Sequence, residues 1–246
     1  MPGNDNLRVF ANYHGRLSYV ENWLKRPALN AVLTTYTSSV AAAEGVATNV
    51  ANKDFEVLGT NMTTALCTFS ATGGITLTTA GASADSAIVL PHLSTNQSAW
   101  KSTLWVTDSS PSFGAKIVTG ASIASTSIWS GFKLTNTPVT ATDDDQAFFR
   151  LDDATNGGRW QAVYSIAGVD VAYDTGVSSA ASTAYSLEIS IDAARVPKFF
   201  INGDHVCTGT PLITAKNFIP YTGVLANTGA AKAITIRPGY VCALAM

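Results

Sequence analysis

The chain has 246 residues, a formal net charge of −2 and only 13% charged side chains, against roughly 25% in ordinary soluble domains. No cluster of Lys or Arg supplies an electrostatic footprint for a polyanion, so nucleic acid is not an expected partner. No apolar run approaches the roughly 18 residues of a membrane span, and no membrane partner is expected.

Residues 1 to about 54 stand apart. Met1-Pro2-Gly3-Asn4-Asp5-Asn6 is polar and has no apolar signal core, so the expectation is synthesis in a cytosol without membrane insertion. The segment carries Arg8, Phe10, Arg16, Lys25, Arg26 and the Trp23-Leu24 pair. Val40, Ala43, Val46 and Val50 recur at helical spacing, enough for one short amphipathic helix that Gly45 weakens. Large apolar residues are too few here to close a core. The segment therefore reads as an extended arm (1–54) lying on its own sandwich or on another subunit.

From Asp54 onward, short alternating runs are punctuated by Gly, Asn, Asp and Pro. Strands are predicted at Phe55–Gly59, Ala65–Ser70, Gly74–Thr79, Ser86–Pro91, Ser102–Thr107, Phe113–Val118, Ile128–Leu134, Gln146–Leu151, Arg159–Ile166, Asp170–Asp174, Tyr185–Ile191, Pro197–Ile201, Tyr221–Leu225 and Ala233–Arg237. So many strands in one chain are most economically housed in two packed antiparallel sheets. The expected fold class is all-β, a two-sheet antiparallel β-sandwich over 55–246.

Chemistry-bearing residues are sparse. Only Glu21, Glu44, Glu56 and Glu188 are present as glutamates, and none has an acid two positions away. The paired carboxylates that glycoside hydrolysis needs are missing, so no enzymatic activity and no catalytic residue is expected. Asp143-Asp144-Asp145 and Asp152-Asp153 flank one predicted strand. Asp143, Asp145 and Asp153 are the ligands a calcium ion would use. The competing reading makes both runs turns in which Asp bonds its own backbone, and no metal or cofactor is expected. His14, His92 and His205 are far apart in sequence and fall in no ligand pattern. Cys67, Cys207 and Cys242 read as buried free thiols. Among the aromatics, Trp105 and Trp160 sit inside alternating strands and read as core. Trp100 and Trp129 precede strands at sandwich rims, where an exposed ring would stack on a sugar or a neighbour.

Two resemblances follow. Tyr185-Ser186-Leu187-Glu188-Ile189-Ser190-Ile191-Asp192, a short corner, then Val196-Pro197-Lys198-Phe199-Phe200-Ile201-Asn202-Gly203 resembles the concanavalin A-like (laminin G-like) jelly rolls. Gly74–Ala80, Ala87–Leu93, Asn96–Trp100 and Ile128–Asp143 continuing into Ala147-Phe148-Phe149-Arg150 resemble structural proteins of tailed bacteriophage virions. This second likeness implies a head decoration or cement protein on the capsid surface, made in the host bacterial cytoplasm, with the major capsid protein and further copies of itself as partners. A trimer at lattice three-fold points is the expected arrangement, since symmetry would follow from the shell. Arg8, Phe10, Trp23 and Leu24 are the expected capsid or subunit contacts. The alternative is a glycan-binding module of a tail or head fibre, with Trp100 or Trp129 stacking on host glycans.

Overall fold

The computed structural model describes residues 7–11, 16–23, 27–29, 55–91, 99–100, 103–133 and 145–245. Twenty strands run through these residues: β1 (Leu7–Ala11), β2 (Arg16–Glu21), β3 (Ala28–Leu29), β4 (Phe55–Leu58), β5 (Cys67–Phe69), β6 (Ile75–Thr78), β7 (Ser86–Pro91), β8 (Ala99–Trp100), β9 (Thr103–Val106), β10 (Ser112–Thr119), β11 (Thr126–Lys133), β12 (Gln146–Asp152), β13 (Arg159–Ile166), β14 (Val169–Ser178), β15 (Ala184–Ile191), β16 (Pro197–Ile201), β17 (Asp204–Thr208), β18 (Asn217–Ala226), β19 (Ala233–Ile236) and β20 (Tyr240–Ala245). Three short 3-10 turns interrupt them, and no α-helix occurs among the described residues.

The strands form two ten-stranded sheets. The first runs β1-β2-β20-β10-β15-β16-β17, with β19 also on β10 and β6 and β5 beyond it; the second runs β14-β13-β12-β11-β18-β7-β4-β3, with β9 on β18 and β8 on β9. Pairing is antiparallel except between β3 and β4. Of the two placements expected for the N-terminal arm, its own sandwich or another subunit, β1 and β2 take the first, since β2 pairs with β20 from Arg16↔Ala245 to Glu21↔Tyr240. The stretch expected to be helical, Val40–Val50, lies outside the described residues.

Alternation explains the first sheet. Along β15, Tyr185, Leu187, Ile189 and Ile191 are buried, while Ala184 and Glu188 are exposed. Facing them from the second sheet are Phe132, which stands edge-on to Phe113 at 5.7 Å, and Phe149, edge-on to Phe199 at 5.4 Å. Offset and edge-on pairs of this kind add to the burial of apolar area that holds the two layers together. Trp105 and Trp160 are core, as the sequence implied.

The turns follow local chemistry. Asn202 and Gly203 close the β16–β17 hairpin with φ of 54° and 89°, the mirror-image turn that fits strand twist and that Asn-Gly tolerates best. At Gly74 the backbone sits so close to the Ile236 carbonyl that an added Cβ would lie 2.0 Å from its oxygen, and φ is +90°. Only glycine fits there.

Candidate functional site

Side chains that stand off the core face of the first sheet come from β10, β15 and β16. Ser112, Gly114 and Lys116 alternate with buried Phe113, Ala115 and Ile117. Register brings Gly114 opposite Glu188 and Lys116 opposite Ser186, and Glu188 in turn lies opposite Phe200. The result is a groove of about 350 Å³ lined by Lys116, Ser186, Glu188, Ser190 and Phe200 among others. A neighbouring depression shares Lys116, Ser186 and Glu188 and extends to Asn202 and Gly203. The floor is held firmly. Asn202 Oδ1 accepts from the Ser186 N–H at 2.9 Å, and the Asn202 N–H donates to the Ser186 carbonyl at 2.8 Å. Phe200 meets the His205 ring edge-on at 5.3 Å. Chemically, the described residues of the groove offer the Lys116 ammonium, the Glu188 carboxylate, serine hydroxyls and the Phe200 ring, a set suited to hydrogen-bonding a polyhydroxylated surface.

Three carboxylates outside the groove are occupied by turns. The Ala215 N–H, then the Thr214 hydroxyl and Arg195, hold Asp108 below the usual carboxylate range. The Gly176 N–H does the same for Asp174, helped by Asn156 and Arg159, and the Val196 N–H for Asp192, helped by Lys198 and Ala194. Burial pushes the Cys207 thiol up, and Cys67 is buried as well.

Several expected site residues take other places. Trp129 is 1% exposed, because β11 is buried along its whole length, so its ring is not a rim platform. Trp23 is also buried, edge-on to Phe55 at 5.1 Å with its indole N–H donating to the Arg237 carbonyl at 3.1 Å. It packs into its own sandwich and is not available to a neighbour. Arg8 and Phe10 lie on β1, the edge strand of the first sheet, and Trp100 lies on β8 opposite Thr103. Leu24 and Asp143 fall outside the described residues.

The calcium constellation is not brought together. Asp145 and Asp153 bracket the seven-residue β12, which at about 3.3 Å per residue sets them roughly 26 Å apart. Asp145 is buried and accepts from the Ile213 N–H at 3.1 Å, while Asp153 accepts from the Thr126 N–H at 3.1 Å and from the Ser125 N–H. Both tie loops to the strand ends. Among the described residues no group of three or more His, Cys, Asp or Glu is placed to hold a metal ion.

The groove on β10, β15 and β16 was not singled out in the sequence, where Glu188, whose side chain is exposed, was noted only for lacking a paired acid. Its signal is the matched alternation Ser112/Gly114/Lys116 and Ser186/Glu188/Ser190.

The layers, topology and groove define a jelly-roll β-sandwich of the concanavalin A-like class. No family model and no curated protein matches the chain. Among solved structures, a protein of unknown function from Shewanella oneidensis MR-1 is similar over 96% of this chain and 88% of its own, at 9% identity and a TM-score of 0.54. The alginate lyase Aly36B, in complex with an alginate trisaccharide, is similar over 93% of this chain and 98% of its own, at 11% identity and a TM-score of 0.52. A Bacillus licheniformis β-glucanase is similar over 80% and 95%, at 10% identity and a TM-score of 0.51. At such identities these likenesses describe the fold.

Proposed function

We propose that this chain is a non-enzymatic structural protein of a tailed-phage particle, a capsid decoration or cement protein that docks on the major capsid lattice. The observation that carries the reading is the outer face of the first sheet. Along β10 and β15 it is built from Ser112, Gly114, Ser186 and Ser190 around Lys116 and Glu188, and on β16 Lys198 stands opposite Ser190 with its ammonium 3.3 Å from the Asp192 carboxylate. Such a face has little electrostatic repulsion to keep other surfaces away. Glu188 supports the non-catalytic part of the reading: its cross-strand partners are Gly114 and Phe200, and its neighbours on the same face are serines. Acid-assisted sugar cleavage needs a second carboxyl group nearby.

In this reading the lattice contact is made by the N-terminal edge strand β1, which carries Arg8 and Phe10, while Trp23 anchors the segment internally. Each docked copy stabilises the shell by mass action, because it binds the assembled state alone. Cryo-microscopy and quantitative mass spectrometry of purified particles test this. The chain at high copy number on the shell is the expected result; its absence from particles would sink the proposal. Deleting residues 1–11 should leave a folded sandwich that no longer co-sediments with particles.

A second reading is favoured by the groove itself. Lys116, Ser186, Glu188 and Phe200 offer hydrogen-bonding groups beside one aromatic ring, the pattern of a shallow glycan site on a fibre. Glycan-array binding lost in Phe200→Ala and Glu188→Ala is the outcome this reading requires, whereas an empty array would end it.

A further inference from the structure

We infer that β14 is a self-pairing edge through which two copies of this chain join their second sheets around a twofold axis. This stands independently of the proposed function. β14 ends the second sheet, with β13 on one side and no strand on the other among the described residues. Its first half carries the large exposed apolar residues Val169, Val171 and Tyr173, at 66%, 42% and 50% exposure. These stand opposite Ile166, Tyr164 and Ala162 of β13, on the side of the sheet that faces the core. The first sheet stops at β17, so the apolar strip projects past its cover. Natural sheets blunt such edges with Lys, Pro, bulges or inward charges. Here a bulge occurs only later: Arg159 pairs with Ser178 and Gln161 with Asp174, which places the extra residues after Asp174. The stretch Val169–Asp174 is regular, open and apolar on one face.

The sequence of this stretch selects its own copy as the occupant, and one register. Antiparallel pairing centred on Val171 sets Val171 against its twin and Val169 against the twin's Tyr173, so the apolar side chains meet on one face. On the other face Asp170 meets Ala172, and Asp174 meets Gly168. Centring on Ala172 would instead oppose Asp170 to Asp174, a like-charge pair. A shift by a single residue would turn one copy's apolar strip to the wrong side of the sheet. The Val171-centred apolar pairs, 169–173, also fit between the Ala167-Gly168 turn and the bulge. An isologous contact of this kind closes on itself as a dimer.

Sedimentation velocity of the full chain over a concentration series tests the inference, with circular dichroism and melting as controls for fold. Wild type should show a reversible monomer–dimer equilibrium. Val171→Lys should shift its midpoint by at least about tenfold toward monomer, because like charges then face each other at the axis. The register is read by two double variants. V169K/Y173K places Lys against Lys and should be monomeric; V169K/Y173E places opposite charges together and should recover the dimer, with a salt dependence wild type lacks. A wild-type chain that stays monomeric across the series, a dimer indifferent to V171K and V169K/Y173K, or equal behaviour of the two double variants would overturn the inference.

Discussion

The two sheets are buried to different depths. In the first, β10 and β15 alternate, and every second residue reaches solvent or the groove. In the second, β11 is buried at every position and β18 at nearly every one. Two-sided burial removes the alternation and obliges polar side chains there to find partners inside the protein. Ser130 and Thr222 share a hydrogen bond of 2.9 Å, and Gln146 donates to Ser165 at 2.8 Å. The ammonium of Lys133 lies 5.7 Å from the Phe148 ring centre and 6.0 Å from that of Tyr221, a cation–π placement on both. Along β10 and β15 the first sheet thus has a face free for contact, whereas along β11 and β18 the second is covered on both faces.

This contrast can be broken most sharply at Trp129. Truncation to Ala should cost about 3–5 kcal/mol in urea unfolding, as for a large core side chain, despite its place on the face of the second sheet turned away from the first. Next comes the buried hydroxyl pair. Ser130→Ala or Thr222→Val alone should cost about 1–3 kcal/mol, because each strands a buried partner. The double substitution should cost less than the sum, which a double-mutant cycle reads directly. Smaller still is the acid response of the exposed turns. Asp108, Asp174 and Asp192 are held below the ordinary carboxylate range by backbone N–H groups. The stability they contribute is fully present above about pH 4, where unfolded carboxyls ionise, and is lost as pH falls through their lower folded values. The urea midpoint should drop from pH 7 to pH 3, and Asp108→Asn should make that drop shallower. Glu188→Ala, on the free face of the first sheet, should change stability by no more than about 0.5 kcal/mol.

Where a strand had clean alternation and turn residues at both ends, the sequence located it well. Ser86–Pro91, Arg159–Ile166 and Pro197–Ile201 are found at the bounds expected. The strands β2 and β20 were not anticipated, nor was β1, which pairs with β2; the place of β2 and β20 depends on pairing between residues some 220 positions apart, which no local pattern encodes. Trp129 was read as a rim residue because it lies at the start of an apolar run; the strand starts earlier, at Thr126, and both its faces are covered. The acidic runs looked like one cluster because they are close in sequence, but an extended strand carries its two ends apart. The groove escaped notice because it needs β10, β15 and β16 in register, and each contributes only ordinary polar residues.

The placement of β20 between β2 and β10 sets an order on synthesis. Until residue 245 has cleared the ribosome, β2 has only β1 to pair with, and along Ser112–Gly114 β10 has β15 on one side but no neighbour on the other. A nascent chain therefore holds its first sheet in two unjoined pieces while the second is already complete, and a single late strand welds them.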